Sequence, residues 1–107
     1  MPELMDKTST IDPTTFNEAC HRVATQIAYT VISKQYDYGQ NNILVFGDKG
    51  LVVRLWDKIS RLKNLIWSRN GIARHEPIQD TFTDIAGYAI IGLMLEKKWF
   101  TLSLKED

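Results

Sequence analysis

Apolar residues recur at intervals of three and four in three stretches of the chain, which is the spacing of one face of an α-helix. In the first stretch, Asp12 and Pro13 match an N-cap and a first helical residue, and the pattern continues to about residue 35. The second runs over about residues 50–69 and the third over about 77–97. The sequence therefore predicts an all-α fold, a single domain of three helices. The expected core stripes are Phe16, Cys20, Val23, Ile27 and Val31; Leu51, Leu55, Ile59, Leu62 and Ile66; and Ile78, Phe82, Ile85, Ala89 and Leu93.

The segments between and beyond these helices carry turn residues. Residues 36–50 contain glycines with asparagines and aspartates between them, so we expect a structured loop that buries residues 43–46; a short strand there is the alternative. Gly71 is expected to end the second helix as its C′ residue. Residues 1–11 are polar and predict a flexible arm, followed by the helical domain over 12–107. Trp99 and Phe100 are expected to fold back onto the helices.

Composition narrows the class of protein. Thirteen basic residues balance thirteen acidic ones in a chain of 107, which disfavours non-specific binding to nucleic acid. The single cysteine, Cys20, excludes an intramolecular disulfide and is expected as a small core residue. No apolar run reaches the roughly 18–20 residues of a membrane span, and the N-terminus has no apolar signal core. We therefore expect a cytoplasmic protein without a membrane partner.

The third helix carries two carboxylates, Asp80 and Asp84, that share a face because they lie four residues apart. This face lies opposite the Phe82 stripe and becomes apolar further along, at Gly87 and Ile91. A helix that is apolar on two sides is usually buried on both. In so short a chain, the second face most simply packs on another subunit, so we expect a homo-oligomer.

The two aspartates differ in what they require. Asp80 lies in the first turn, where the helix dipole stabilises a negative charge by ~0.3–1 kcal/mol. Asp84 lies a turn deeper and needs a partner. A structural salt bridge and a ligand or metal role both remain open for it. The candidate partners are a metal ion or a cation of the second helix: Arg54, Lys58 or Arg61.

Two segments, YGQNNILVFGDKGLVVRLWDKISRLKNL and DTFTDIAGYAIIGL, carry a family resemblance over about residues 36–95. Together they resemble the phage and bacterial nucleotide-modification-associated domain family, the first of that name. The resemblance implies a link to nucleotide metabolism in a phage setting, without an established reaction. The matching residues are Tyr38, Gly39, Asn42, Arg54, Asp57, Lys58, Arg61, Asp80, Thr81, Asp84 and Tyr88.

A looser similarity connects the chain to the all-α, MazG-like nucleoside triphosphate pyrophosphohydrolases. Those enzymes hold Mg²⁺ with acidic residues of adjacent helices, commonly through a Glu-x-x-Glu pair. The chain has no such pair, so Asp57, Asp80 and Asp84 would serve instead, with Glu76 as a further candidate. Asp80 and Asp84 are therefore the candidate metal ligands, with Mg²⁺ as the cofactor if the protein is catalytic.

These observations predict a nucleotide-binding protein, without strong catalysis, that acts in nucleotide metabolism or sequesters a nucleotide signal as a phage anti-defence protein would. Arginine and lysine would contact phosphates, aromatic rings would stack on a base, and amides and carboxylates would read the base or ribose. The alternatives are an Mg²⁺-dependent nucleotide hydrolase and a non-catalytic helical interaction module. The expected ligand-binding residues are Tyr38, Asn41, Asn42, Phe46, Arg54, Asp57, Lys58, Arg61, Asp80, Asp84 and Tyr88.

Overall fold

The structure, a computed structural model, describes residues 11–72 and 76–105. Within these residues the chain is helical and contains no strand, which confirms the predicted all-α class. Three of the helices are long, and a short fourth one lies within the connection that we expected to be a structured loop. The helices are α1 (Phe16–Tyr38), α2 (Asn41–Leu44), α3 (Gly47–Lys63) and α4 (Ile78–Glu96). The predicted N-terminal arm lies, except for its last residue, outside the described residues.

The N-terminus of α1 differs from the prediction. The N-cap is Thr15, not Asp12, and its hydroxyl accepts the backbone N–H of Glu18 at 3.1 Å. The carboxylate of Glu18 in turn accepts from the backbone N–H and the hydroxyl of Thr14, each at 3.4 Å. A threonine followed three residues later by glutamate satisfies free N–H groups of the first turn. Asp12 and Pro13 have the right residue types but lie before this cap.

α3 continues into a π-helical turn, Asn64–Ser68, and the helix ends after this turn. Gly71 has a φ of 81°, a conformation that favours glycine, and its N–H donates to the carbonyl of Leu65 at 2.7 Å. The bond satisfies a carbonyl that the end of the helix would otherwise leave free. The helix therefore ends close to Gly71 as predicted, but the C-cap is Arg69, so Asn70, with a φ of 52°, occupies the C′ position and Gly71 follows it.

The core lies where α4 packs between α1 and α3. Gly87 is buried against α1, and a Cβ atom added to it would come within 3.2 Å of Val31 Cγ2. The missing side chain therefore lets the two backbones approach closely. Phe100 is buried, as expected for a tail that folds back, whereas Trp99 is about half exposed. The buried apolar cluster comprises Val31, Ile43, Leu51, Ile91 and Phe100.

The face of α4 that enters this core is not the one that the apolar spacing predicted. Phe82 and Leu93, members of the predicted core stripe, are 54% and 62% exposed. The opposite face, with Asp84, Gly87 and Ile91, packs inside the chain instead of on another subunit. Both faces are apolar enough to be buried, and the close approach at Gly87 is available to only one of them.

Other predicted core positions are exposed as well. Cys20 is an exposed free thiol, not a core residue, and of residues 43–46 only Ile43 is buried. On the outer surface of α3, Val52, Trp56 and Ile59 are all more than half exposed. Despite this apolar surface, none of the helices in the described parts of the chain combines the length and hydropathy needed to cross a bilayer.

Arg61 joins α3 to the start of α4. Its Nε donates to the hydroxyl of Thr81 at 2.8 Å, and its Nη2 donates to the carbonyl of Glu76. Thr81 is fully buried, so the guanidinium supplies a donor that water cannot supply there. This arginine therefore acts as a structural link between the two helices.

We predict that Arg61→Met lowers the free energy of unfolding by about 1–3 kcal/mol, because the buried Thr81 hydroxyl loses its donor. Denaturant unfolding followed by circular dichroism measures the loss. Adding Thr81→Val to Arg61→Met should cost much less than the two single changes together, since the valine has no polar group left to satisfy. Lys49→Met, on the exposed first turn of α3, is the control. Simple additivity of the two changes would contradict the link.

Candidate functional site

A cleft of about 300 Å³ opens between α1, the α2 connection, α3 and α4. It combines aromatic rings, cations, amides and one carboxylate with an apolar floor. Val31, Ile43 and Ile91 of the core form that floor. Among the residues predicted from sequence, Tyr38, Asn42, Arg54, Asp84 and Tyr88 line this cleft, and Thr30, Lys34, Gln35 and Thr83 line it without having been predicted.

The carboxylate of Asp84 is held by two lysines, one on each oxygen. Lys58 Nζ lies 2.9 Å from Oδ2, and Lys34 Nζ lies 3.3 Å from Oδ1. Lys58 is one of the cations proposed for Asp84 from sequence; Lys34, on α1, was missed. The side chain of Asp84 is only 15% exposed, so this charge needs such partners. Through it, α4 is bound electrostatically to both α1 and α3.

The electrostatics of this triad favour the charged forms. Burial alone would raise the pKa of Asp84, but the hydrogen bond from Lys58 and the charge of Lys34 outweigh it and hold the pKa below its ordinary value of 3.8. The hydrogen bond to Asp84 likewise raises the pKa of Lys58 above 10.5, against the effect of desolvation. Asp84 is therefore a stable carboxylate at neutral pH, not a proton donor.

Arg54 has a different environment from the two lysines. Its guanidinium carbon lies 6.0 Å from the centroid of the Tyr88 ring, at the outer limit of a cation–π contact. An aromatic face positions the cation without neutralising it, and Arg54 forms no salt bridge with any described residue. The cleft therefore presents a guanidinium with its charge available to an anion.

Gln35 contributes an unsatisfied acceptor to the wall of the cleft. The side chain is 9% exposed, and its Nε2 donates weakly to the Val31 carbonyl at 3.4 Å. Its Oε1 is shielded from solvent and has no hydrogen-bond partner among the described residues. A buried acceptor without a donor costs about 1–3 kcal/mol. A ligand with an N–H or O–H donor is one means of removing that cost.

A groove of about 480 Å³ adjoins the cleft. The two cavities share Thr30, Lys34, Thr83 and Asp84, so the Lys34–Asp84 pair stands at their boundary. The groove then continues past residues of α1 and the start of α4, which are more polar than the cleft floor. These further lining residues are Val23, Gln26, Ile27, Glu76 and Asp80.

The metal assignment of Asp80 and Asp84 remains a prediction. Asp80 is exposed in the groove, away from the cleft, while both oxygens of Asp84 face lysines. In the described parts of the chain, no three His, Cys, Asp or Glu side chains lie close enough together to hold a metal ion. Mg²⁺ at Asp84 would therefore have to displace at least one ammonium group.

The remaining predicted ligand residues lie outside the cleft. Asn41 and Phe46 are exposed on and after α2, and Asp57 is exposed on the outer surface of α3. Lys58 contacts Asp84 without lining the cleft, and Arg61 is engaged with Thr81. Their ligand roles remain predictions.

Of the four cleft residues that were not predicted, three lie on α1 and one, Thr83, lies on α4. Thr30 and Lys34 are four residues apart, and Gln35 follows Val31 by the same interval. Polar side chains at helical spacing beside a buried stripe are a readable signal. The α1 residues were missed because the predicted site was assembled from residues 36–50 and from the second and third predicted helices.

Comparisons of the chain with models of protein families, with curated proteins and with solved structures find no match. The family resemblance of residues 36–95 therefore remains an expectation.

We predict that Asp84→Asn lowers the free energy of unfolding at pH 7 by about 1.5–3 kcal/mol, the range for hydrogen bonds to charged groups. Because the folded pKa of Asp84 lies below its ordinary 3.8, its contribution is complete above that value and is lost as the pH falls through the folded pKa. The stabilities of wild type and variant should therefore converge in acid. Urea unfolding across pH 2.5–7 measures this, and a constant difference would contradict the charge assignment.

Proposed function

We propose that the protein is a nucleotide-binding protein whose ligand occupies the cleft and is not turned over. The observation that carries the proposal is the composition of the cleft wall: two tyrosines, two cations and a buried amide oxygen without a donor, around an apolar floor. Ligand pockets typically combine apolar surface with a few convergent polar groups in this way, at volumes of roughly 300–1,000 Å³.

The cations of the cleft suit a phosphate. Arg54 and Lys34 both line it, and Lys58 contacts Asp84 without lining it, so three cations lie in or beside a cleft whose described lining contains one carboxylate. Arginine binds phosphate oxygens through two parallel N–H bonds, and lysine binds them as a point charge. This local positive excess, in a chain with no net charge, favours an anionic ligand.

The tyrosines and amides suit a base. Tyr38 is exposed at one side of the cleft and Tyr88 is half-buried on α4. Stacking of a base on an aromatic ring contributes about 1–3 kcal/mol in single-strand binders. The amides of Asn42 and Gln35 offer hydrogen bonds to the polar edge of such a base.

Binding without turnover fits the state of Asp84. A general base or metal ligand needs a carboxylate that is free to accept a proton or a cation, and both oxygens of Asp84 face ammonium groups. With the resemblance to a phage-associated nucleotide family, this supports sequestration of a nucleotide or a role in its metabolism, in the host cytoplasm if the chain is phage-encoded. A hydrolase would reveal itself by Mg²⁺- or Mn²⁺-dependent release of phosphate or pyrophosphate. An interaction module would show no nucleotide-dependent shift in melting temperature.

We predict that Arg54→Met weakens nucleotide binding about tenfold or more, because a charge-assisted phosphate contact contributes about 1.5–3 kcal/mol. Thermal shift over a panel of nucleotides identifies a ligand, and calorimetry then compares the dissociation constants. Arg69→Met is the matched control, since Arg69 lies beyond the cleft and donates to the carbonyl of Ile72. Equal effects of the two substitutions on affinity would reject the cleft as the site.

We also propose that the chain forms a homo-oligomer. The exposed Phe82, Ala89 and Leu93 share one side of α4, and Val52, Trp56 and Ile59 share one side of α3. The α3 residues follow the 4-3 spacing of a helix that packs against another helix, and Lys63 continues it. A second copy of the chain supplies a helix with the same spacing.

We predict that Trp56→Glu and Leu93→Glu, separately, reduce the oligomer to monomer, since each places a charge on an apolar face. Sedimentation velocity measures the mass of wild type and variants. Lys49→Glu, on the exposed first turn of α3, is the control. A monomeric wild type at micromolar concentration would contradict the oligomer and leave the binding proposal intact.

A further inference from the structure

Among the described residues, Lys34 has a position that no other cation shares. It lines the cleft and also the groove, at the boundary of the two. Its side chain is 49% exposed, whereas that of Lys58 is 25% exposed. Its distance to the Asp84 carboxylate is 3.3 Å, against 2.9 Å for Lys58. Of the two lysines, Lys34 is thus the more solvated and the more weakly held.

One carboxylate does not need two ammonium groups. The shorter contact with Lys58 satisfies one oxygen of Asp84 and neutralises its charge. The second ammonium adds a positive charge that Asp84 does not require, at the boundary of the cavities. Holding an exposed lysine in one geometry also costs side-chain entropy, for little electrostatic gain. The Lys34 contact is therefore weak enough for a stronger anion to replace Asp84 there.

We propose that Lys34 binds an internal phosphate, one with an organic group on each side, so that the ligand is a phosphodiester that extends from the cleft into the groove. This inference rests on the proposed nucleotide-binding function. On binding, Lys34 transfers from Asp84 to the phosphate, and Lys58 remains on Asp84. The phosphate lies at the boundary, one nucleoside lies among the tyrosines of the cleft, and the second nucleoside lies in the groove.

The groove provides the partners that a second nucleoside requires. Gln26 of α1 offers an amide, and Thr83 a hydroxyl whose bond to the Gln79 carbonyl at 3.0 Å leaves it free to accept. The carboxylates of Glu76 and Asp80 accept hydrogen bonds from ribose hydroxyls or an exocyclic amine. The apolar side chains of Val23 and Ile27 offer a surface for a ring.

The charge of the groove also favours a diester over a terminal phosphate. Asp84, Glu76 and Asp80 all line it. A phosphate monoester carries about −1.5 to −2 charges at pH 7, and these carboxylates would repel the second charge. A diester carries a single negative charge, which the one charge of Lys34 matches.

The test compares three probes that share each base: the nucleoside, its monophosphate, and the dinucleoside monophosphate with a 3′–5′ link. Isothermal titration calorimetry on the full chain, without added divalent cations, gives the dissociation constants. We expect the dinucleoside monophosphate of the preferred base to bind at least tenfold more tightly than the corresponding mononucleotide. Equal affinities would overturn the inference while nucleotide binding stands. Absence of binding by all three probes would overturn both.

Two substitutions test whether the phosphate binds at Lys34 and the second nucleoside binds in the groove. Lys34→Met retains the aliphatic stem and should reduce the affinity for the dinucleoside monophosphate at least tenfold, with little change in melting temperature because Lys58 still neutralises Asp84. Gln26→Met, in the groove, should weaken the dinucleoside monophosphate and leave the mononucleotide unchanged. Lys49→Met is the control. If Lys34→Met lowers the melting temperature and spares the affinity, Lys34 is only a structural counterion of Asp84 and the inference is wrong.

Discussion

The arrangement of the three long helices depends on one nearly buried carboxylate. Asp84 faces Lys34 of α1 on one oxygen and Lys58 of α3 on the other, so a single residue of α4 contacts both neighbouring helices, more closely through Lys58. A charge that is largely removed from water is costly unless it is paired. Together with the close approach at Gly87, this constraint determines which face of α4 points inward, and the apolar cluster of Val31, Leu51 and Ile91 packs beside it. The cleft is the space that remains above this cluster, beside the charged group.

The need to pair the charge of Asp84 also explains why the residues that hold the helices together lie beside those proposed to bind a ligand. A site that must hold an anion needs cations that are positioned before the ligand arrives, and Asp84 performs this task for Lys34. Tyr88 positions Arg54 by a different means, through an aromatic face. Preorganised cations lower the ordering cost of binding. The unsatisfied oxygen of Gln35 lies on the same wall and has the opposite requirement, since it needs a donor.

The positions of the helices could be predicted from the sequence more reliably than the face that each helix buries. The 3.6-residue period identified α4 almost to its ends, and glycine chemistry identified Gly71 as a stop. Periodicity reports that a residue is on an apolar face, not what covers that face. The Phe82 face and the Gly87 face of α4 were both apolar, and the close approach to Val31 that decided between them depends on tertiary geometry.

The candidate site shows the same difference between what a local sequence pattern indicates and what depends on tertiary contacts. Lys58 was named as a partner of Asp84 because both belong to helices that were expected to be neighbours. The pairing of Lys34 with Asp84 was not predicted, because a contact between residues fifty positions apart in sequence leaves no local pattern. The N-cap at Thr15 was missed for a different reason. Thr15 and Glu18 match a capping pattern, but the Asp-Pro pair before them matches a helix start as well and was preferred. Long-range pairing was therefore the part of the structure that could not be predicted from the sequence.

The close contact at Gly87 has a consequence for the ligand site one turn away. Val31 meets Gly87, and Lys34 meets Asp84, so α1 and α4 run antiparallel with the glycine one helical turn below the charged pair. Because the glycine has no side chain, the backbones of α1 and α4 lie close together at this position. A methyl group there would lie 3.2 Å from Val31 Cγ2, closer than an ordinary contact, so the Val31 side chain or one of the two helices would have to shift by a few tenths of an ångström. The width of the cleft therefore depends on a residue that has no side chain and that itself lines the cleft.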